Sequence, residues 1–341
     1  MDELIYFYPE GHTLHFSHGH PERPERVEVI RSALKDAGYW DDYPKLAPLS
    51  LSQTILEAIH SPHYLAYLQA ACQRGQHLDL DTYTTYDSWD LALNAAGGAA
   101  TAANAVWAGN ARRGFALTRP PGHHASIDRG MGFCLLNNVA LAAEFLIREN
   151  QSQRLAIIDL DVHHGNGSQD IFWRRAEVLY VSTHQYPLYP GTGRINERGA
   201  GIGYETNANI PFPPMSGDTA FRVSMESLIL PLLDRYLPEM LLVSFGFDTH
   251  WLDPLANLQL SALTYQTLIA ELADWADKHC QGRIVLVLEG GYDLKAGAAC
   301  AQAVVSALLG QPWQDPIGPA PNPEDLSWEP VVEQARQVWG L

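Results

Sequence analysis

The chain predicts an α/β fold in which helices cover a mostly parallel sheet, and three observations carry that prediction. Short β-rich runs alternate with longer helical patterns along the 341 residues. Several of those runs are apolar on both faces, among them 284–288 (Ile-Val-Leu-Val-Leu), which suits central strands buried between helices. Four runs also end in glycine-punctuated segments carrying His, Asp or Tyr, as expected where strands deliver residues to one crevice.

In chain order, the first strand is 4–7, a run of apolar and aromatic residues, and apolar spacing then predicts helices over 24–37, 56–72 and 91–107. A strand at 114–118 runs into a Pro-Pro-Gly turn, and a helix follows at 138–149. Strands at 155–159 and 178–182 come next, then a helix at 219–236. The last repeats of the pattern are strand 240–245, helix 265–279, strand 284–288 and helix 298–309. No internal repeat or linker interrupts them, so one domain over 1–310 is expected. Residues 311–330 hold six prolines, so 311–341 reads as a proline-rich tail wrapped on the same domain.

Composition narrows the function. The chain has 46% hydrophobic residues, enough for a large core and too many for a disordered chain. Its 22 Lys and Arg against 39 Asp and Glu give a net charge of −17, and its only dense basic spots are dipeptides. Direct nucleic-acid binding, which needs a basic face, is excluded on that ground. Cys72, Cys134, Cys280 and Cys300 form no CxxC pair, no apolar run approaches a membrane span, and no leader pattern opens the chain. The expectation is a cytoplasmic protein with free thiols and no membrane partner; a homo-oligomer is compatible with it.

The chemistry lies at the strand exits. Strand 114–118 leads to Arg-Pro-Pro-Gly-His123-His124; strand 155–159 leads to Asp161-Val-His163. Strand 240–245 ends in Gly-Phe-Asp248, and strand 284–288 in Glu-Gly-Gly-Tyr292. Asp161 and His163 are two apart, so on a continuing strand they share a face. With Asp248 they make a mixed nitrogen and oxygen set that leaves one position open, as a catalytic zinc or Fe(II) site needs. His123 and His124 both reach one site only if the backbone turns at the preceding Pro-Pro-Gly. Histidine suits proton transfer near neutral pH, and a phenol behind two glycines suits stabilisation of an oxyanion.

Seven stretches together resemble the histone deacetylase superfamily, which includes acetylpolyamine amidohydrolases and acetoin-utilisation proteins. They are HPERPERV (20–27), RPPGHHA (119–125), GFCLLNN (132–138), DLDVHHGNG (159–167), VSTHQYPLYPGTG (181–193), SFGFDTHWLDPLA (244–256) and LEGGYDL (288–294). GNG and EGGY resemble the class II branch and its bacterial relatives. The resemblance implies the three-layer αβα arginase/deacetylase fold and a zinc-dependent deacetylase, with Fe(II) as the alternative metal.

Residue by residue, the resemblance implies that Asp161, His163 and Asp248 bind the metal. His124 is the general base, supported by Asn166 where class I enzymes carry Asp. His123 is its electrostatic partner or the acid, oriented by Asp159, and Tyr292 holds the oxyanion. Phe133 and Tyr189 wall a tunnel beside Gly132, with Leu255 at its rim. Asp79 or Asp81, the latter taken here, accepts the substrate backbone. Asp159, Asp161, His163, Ser182 and Thr183 match a structural potassium site, and Arg26 lines an internal exit channel.

The substrate implied is an N-acetylated primary amine. Acetyl-lysine in a protein or peptide is favoured because an apolar rim at Leu255 gives a distant ammonium nothing to bind. Acetylpolyamine or small-metabolite deacetylation is the alternative, and an inert acetyl-amine binder the further one. A two-manganese ureohydrolase is disfavoured, since Gly165 and His250 stand where its extra carboxylates are needed.

Overall fold

The computed structural model describes all 341 residues and contains one eight-stranded sheet, every pairing of which is parallel. In chain order the elements are β1 (Asp2–Phe7), α1 (Glu25–Asp36), β2 (Lys45–Leu46), α2 (Gln53–Ile59), α3 (Pro62–Arg74), α4 (Ser88–Trp107) and β3 (Ala111–Ala116). Next come α5 (Asn138–Glu149), β4 (Leu155–Asp159), α6 (Asn166–Phe172), β5 (Val178–Gln185), β6 (Asn207–Phe212), α7 (Asp218–Ser224) and α8 (Leu230–Tyr236). The chain closes with β7 (Leu241–Phe245), α9 (Ala262–His279), β8 (Ile284–Leu288), α10 (Leu294–Leu308) and α11 (Glu329–Trp339).

Side chains alternate across the sheet and build one core on each face. Ile157, Leu242 and Val285 face the layer of α2, α3, α4 and α5. Ile158, Val243 and Leu286 face the layer of α1, α9, α10 and α11. No helix is long and apolar enough to cross a membrane.

Strand order is β2-β1-β3-β8-β7-β4-β5-β6. The four strands whose exits carry the motifs, β3, β8, β7 and β4, are therefore contiguous in the middle of the sheet. Their carboxyl ends open on one crevice, the position where open α/β sheets bind ligands.

Four local departures from the sequence reading have physical causes. The helix expected over 56–72 is two helices, because Ser61 caps α3 by accepting from the Tyr64 amide and Pro62 takes its first turn. The helix expected over 219–236 is broken by a π turn, Met225–Ile229, just before Pro231, which has no N–H to continue the ladder. Strand β6 escaped notice because Asn207, Asn209 and Pro211 break its apolar pattern, and an edge strand tolerates them. Beyond residue 310 the prolines conceal α11, whose Val332, Ala335 and Trp339 join the core. Glu324 adds a strap, accepting from the amides of Gly217, Thr219 and Ala220 at the start of α7.

Candidate active site

The turn after β3 brings both histidines to one place. Gly122 and His123 donate their backbone N–H groups to Oε2 of Glu289, at 2.6 and 3.1 Å, from the end of β8. The two imidazole centroids end 4.1 Å apart. Nδ1 of His123 lies 3.1 Å from Oδ2 of Asp159, which also accepts from the Tyr180 hydroxyl at 2.9 Å. Nδ1 of His124 lies 2.8 Å from Oδ1 of Asn166.

These neighbourhoods push the two rings apart electrostatically. Burial lowers the pKa of His124, and the adjacent His123 and His163 lower it further. For His123 burial works the same way but loses to Asp159 and Asp161, which raise it to about 10.

Asp161, His163 and Asp248 converge on the same crevice, all buried, with one ligand atom from each inside a 4.8 Å cluster. Strand β4 stops at Asp159, so Asp161 and His163 do not share a strand face as the spacing implied. A bend beyond the strand brings them together instead. Backbone amides fix both carboxylates: Gly290 donates to Asp161 Oδ2 at 2.8 Å and Val162 to Asp248 Oδ1 at 2.9 Å. A Cβ on Gly290 collides with both carboxylates, which is why glycine is needed there.

The set passes a test for a metal. Nδ1 of His163 stands 3.1 Å from Asp161 Oδ1 and 3.2 Å from Asp248 Oδ2. A tetrahedral zinc with bonds near 2.0–2.1 Å has ligands about 3.3 Å apart. Oδ2 of Asp248 is buried and makes no hydrogen bond of good geometry, so it is free to ligate. At Gly165 a side chain collides with the Asp159 carboxylate, and His250 packs against Trp251. Neither position supplies a carboxylate for a second ion.

A cavity of about 220 Å³ leads to this set. Phe133, Tyr189 and Leu255 line it together with Asp81, Gly132 and the unanticipated Leu188, and His124, His163 and Tyr292 line it too. The Tyr189 ring stands edge-on to His124, and the Phe133 ring edge-on to Tyr292. Asp79 does not line the cavity: its carboxylate is spent on the amides of Asp81 and Thr82. Tyr292 is 8% exposed, and burial raises its phenol pKa well above the usual value.

The remaining expected residues lie deeper. Ser182 pairs in register with Asp159 across β4 and β5, and its hydroxyl is 2.9 Å from His184 Nδ1. Thr183 donates to the Asp159 carbonyl at 3.4 Å. Arg26 is buried behind Tyr292, its guanidinium 4.8 Å from the ring centroid.

Sequence reading missed several supporting groups. Glu289, read only as part of a strand exit, anchors the histidine turn; Tyr180 steadies Asp159; Met131 touches Asn166; Asp253 holds the Tyr292 segment. Glu22 pairs with both Arg26 and Arg119 in full burial. Single residues from distant segments leave no spacing signal, although RPPG and HPER each contained one member of the last group.

Comparison with known proteins agrees with this architecture. Residues 20–308 match the family model described as histone deacetylase domain. A probable deacetylase of Archaeoglobus fulgidus is 38% identical over 309 residues, covering 90% of this chain and 86% of the relative. A histone deacetylase-like amidohydrolase of Pseudomonas aeruginosa is 36% identical, covering 86% and 77%. Among solved structures, the HDA15 HD domain superposes with a TM-score of 0.89 at 31% identity, covering 99% of this chain and 95% of that one. The chain belongs to the histone deacetylase family, with the arginase/deacetylase fold, and is a hydrolase of the deacetylase class.

Proposed function

We propose that this chain removes an acetyl group from an N-acetylated primary amine, with acetyl-lysine in a peptide or protein as its substrate. One observation carries the reading: a narrow cavity lined by Phe133, Tyr189 and Leu255 also reaches His124, His163 and Tyr292. That volume suits an aliphatic chain entering end-on, its amide delivered to the polar groups.

Asp161, His163 and Asp248 hold the metal in this reading, zinc first and Fe(II) second. Bound there, it supplies Lewis acidity to the acetyl carbonyl and acidifies a water. The side chains do the rest. His124, kept neutral by burial and by the charge beside it, takes the proton of the attacking water. His123, kept protonated by Asp159 and Asp161, returns a proton to the departing amine. Two adjacent histidines pushed in opposite directions thus divide the base and acid roles.

Tyr292 donates its phenol hydrogen to the carbonyl oxygen as negative charge develops there. Asp81 accepts from the substrate backbone, and Phe133 and Tyr189 grip the chain and exclude water. Asp159, Asp161, His163, Ser182 and Thr183 make the structural potassium site. Four buried, unpaired cysteines favour a reducing compartment such as the cytoplasm.

Leu255 supports the peptide over the polyamine, since its side chain offers a second ammonium no partner and Asp81, the one carboxylate lining the cavity, is taken by the substrate backbone in this reading. The test is kcat/KM for an acetyl-lysine peptide and for N-acetylated polyamines on the zinc-loaded enzyme. A strong peptide preference supports the reading. A polyamine preference transfers the function to amine metabolism, and no turnover with metal bound leaves an acetyl-amine binder.

A further inference from the structure

The peptide unit joining Gly291 to Tyr292 is held at both poles by buried polar side chains. Its carbonyl oxygen accepts from Nε of Arg26 at 2.6 Å. Its N–H donates to Oδ2 of Asp253 at 2.7 Å, and the Asp293 amide reaches the same oxygen at 3.3 Å. Arg26 also donates through Nη2 to the Glu289 carbonyl at 2.5 Å. Arg26 and Asp253 are 2% and 6% exposed, so neither contact is screened by bulk water.

Asp253 does a second thing. Its Oδ1 accepts from the Leu255 amide at 2.9 Å. One carboxylate therefore ties the cavity residue Leu255 to the residue that carries the phenol. Three backbone amides converge on this one buried carboxyl, where each hydrogen bond is strong because water is excluded, so the node is stiff.

Stiffness is needed here. Gly290 and Gly291 have no side chains to pack, and Gly291 sits at φ +109°, a conformation open to glycine. Nothing in the local chain fixes the direction in which Tyr292 leaves the strand. An oxyanion donor is effective only when pre-set within hydrogen-bond distance of where charge appears.

The geometry points to Asp253 as a positioning residue: by clamping the 291–292 peptide against Arg26 and anchoring Leu255, it sets the phenol of Tyr292 for the reaction. This rests on Tyr292 being the oxyanion donor. Asp253 touches no substrate; its effect on turnover runs through the Tyr292 segment, and the Leu255 contact steadies the same node.

The test is Asp253→Asn in the full chain, which keeps shape but turns an N–H toward one of the donors it must accept. Three quantities are read against wild type: metal content, steady-state kinetics, and hydrogen exchange of the 289–293 amides. The expected result is unchanged metal content, kcat lower by roughly 10-fold or more with KM within about 3-fold, and amide exchange in 289–293 faster by about 10-fold. In a Tyr292→Phe background the same substitution costs less than about 2-fold, because the group it positions is gone.

Unchanged exchange, or an equal fold-loss in the Tyr292→Phe background, overturns the clamp. If Tyr292→Phe itself turns over normally, the oxyanion role of Tyr292 fails instead, and the exchange data still report whether Asp253 holds the segment. Should Asp253→Asn not fold, Asp253→Glu, with its carboxylate displaced by one methylene, is read in the same assays with the same expectations.

Discussion

Asn166 accepts a hydrogen bond from Nδ1 of His124 at 2.8 Å, and Met131 fixes that direction. The Asn166 amide nitrogen lies 3.6 Å from the Met131 sulfur, a group that can only accept. The amide oxygen therefore faces His124, Nδ1 carries the hydrogen, and Nε2 is left as the basic nitrogen. Asn166→Ala removes the partner that holds this tautomer. It should lower kcat by about 10- to 100-fold with metal content unchanged, as losses of orienting partners do. Steady-state kinetics with metal analysis measure it, and a normal kcat contradicts the tautomer role.

Tyr292→Phe removes one hydroxyl from the cavity and leaves the ring that packs on Phe133 and Arg26. In the proposed oxyanion role the hydroxyl acts when charge develops, so kcat should fall by about 100- to 1000-fold while KM and metal content stay near normal. A turnover within a few-fold of wild type would sink the oxyanion role.

Asp248→Ala deletes a buried carboxylate oxygen that makes no hydrogen bond of good geometry and faces His163 and Asp161. Metal stoichiometry after dialysis should drop from near one per chain to near zero. Thermal scans give an independent readout: added zinc should raise the midpoint of wild type and leave that of the variant unmoved. Retained stoichiometric metal would place the ion elsewhere.

Four candidate site residues were legible because each lies two to seven positions beyond a strand end, and strand ends are what apolar runs reveal. His123, Asp161, Asp248 and Tyr292 all follow that rule, on β3, β4, β7 and β8. The bend that unites Asp161 and His163 was not legible, since the expectation of a shared strand face reached the same pair by a different geometry. Glu22, Met131 and Asp253 were not legible either. Their partners Arg119, Asn166 and Tyr292 lie 97, 35 and 39 residues away, so only the folded chain assembles those contacts. Strand β6 was hidden for the opposite reason: its polar residues are local, and only its edge position excuses them.

Leu255→Glu tests the rim. Leu255 lines the cavity, and its amide already rests on Asp253, so the substitution places a carboxylate at the rim without removing that backbone contact. Attraction for a second ammonium should raise kcat/KM for N-acetylated polyamines by about 10-fold and lower it for an acetyl-lysine peptide with an acidic neighbour. Equal effects on both substrates would mean that position 255 does not discriminate between them.

Glu22 offers a prediction about stability rather than turnover. Its carboxylate is 0% exposed, 2.7 Å from Nε of Arg119 and 3.1 Å from Nη1 of Arg26. Burial alone raises its pKa, but Arg119 and then Arg26 overcome this and hold it down at about 2, below its ordinary 4.5. A carboxyl depressed on folding stabilises the native state above its unfolded pKa, and that contribution is lost as pH falls from there toward the folded value. Glu22→Gln leaves two guanidinium groups buried without their counter-charge and should cost about 3–5 kcal/mol at neutral pH. In denaturant titrations of the two proteins, the gap should be constant from pH 7 to 6 and narrow by roughly 1 kcal/mol by pH 3.5, as wild type alone takes up this proton. Parallel stability curves down to pH 3.5 would mean that the Glu22 carboxylate is not held in its charged form by the two arginines.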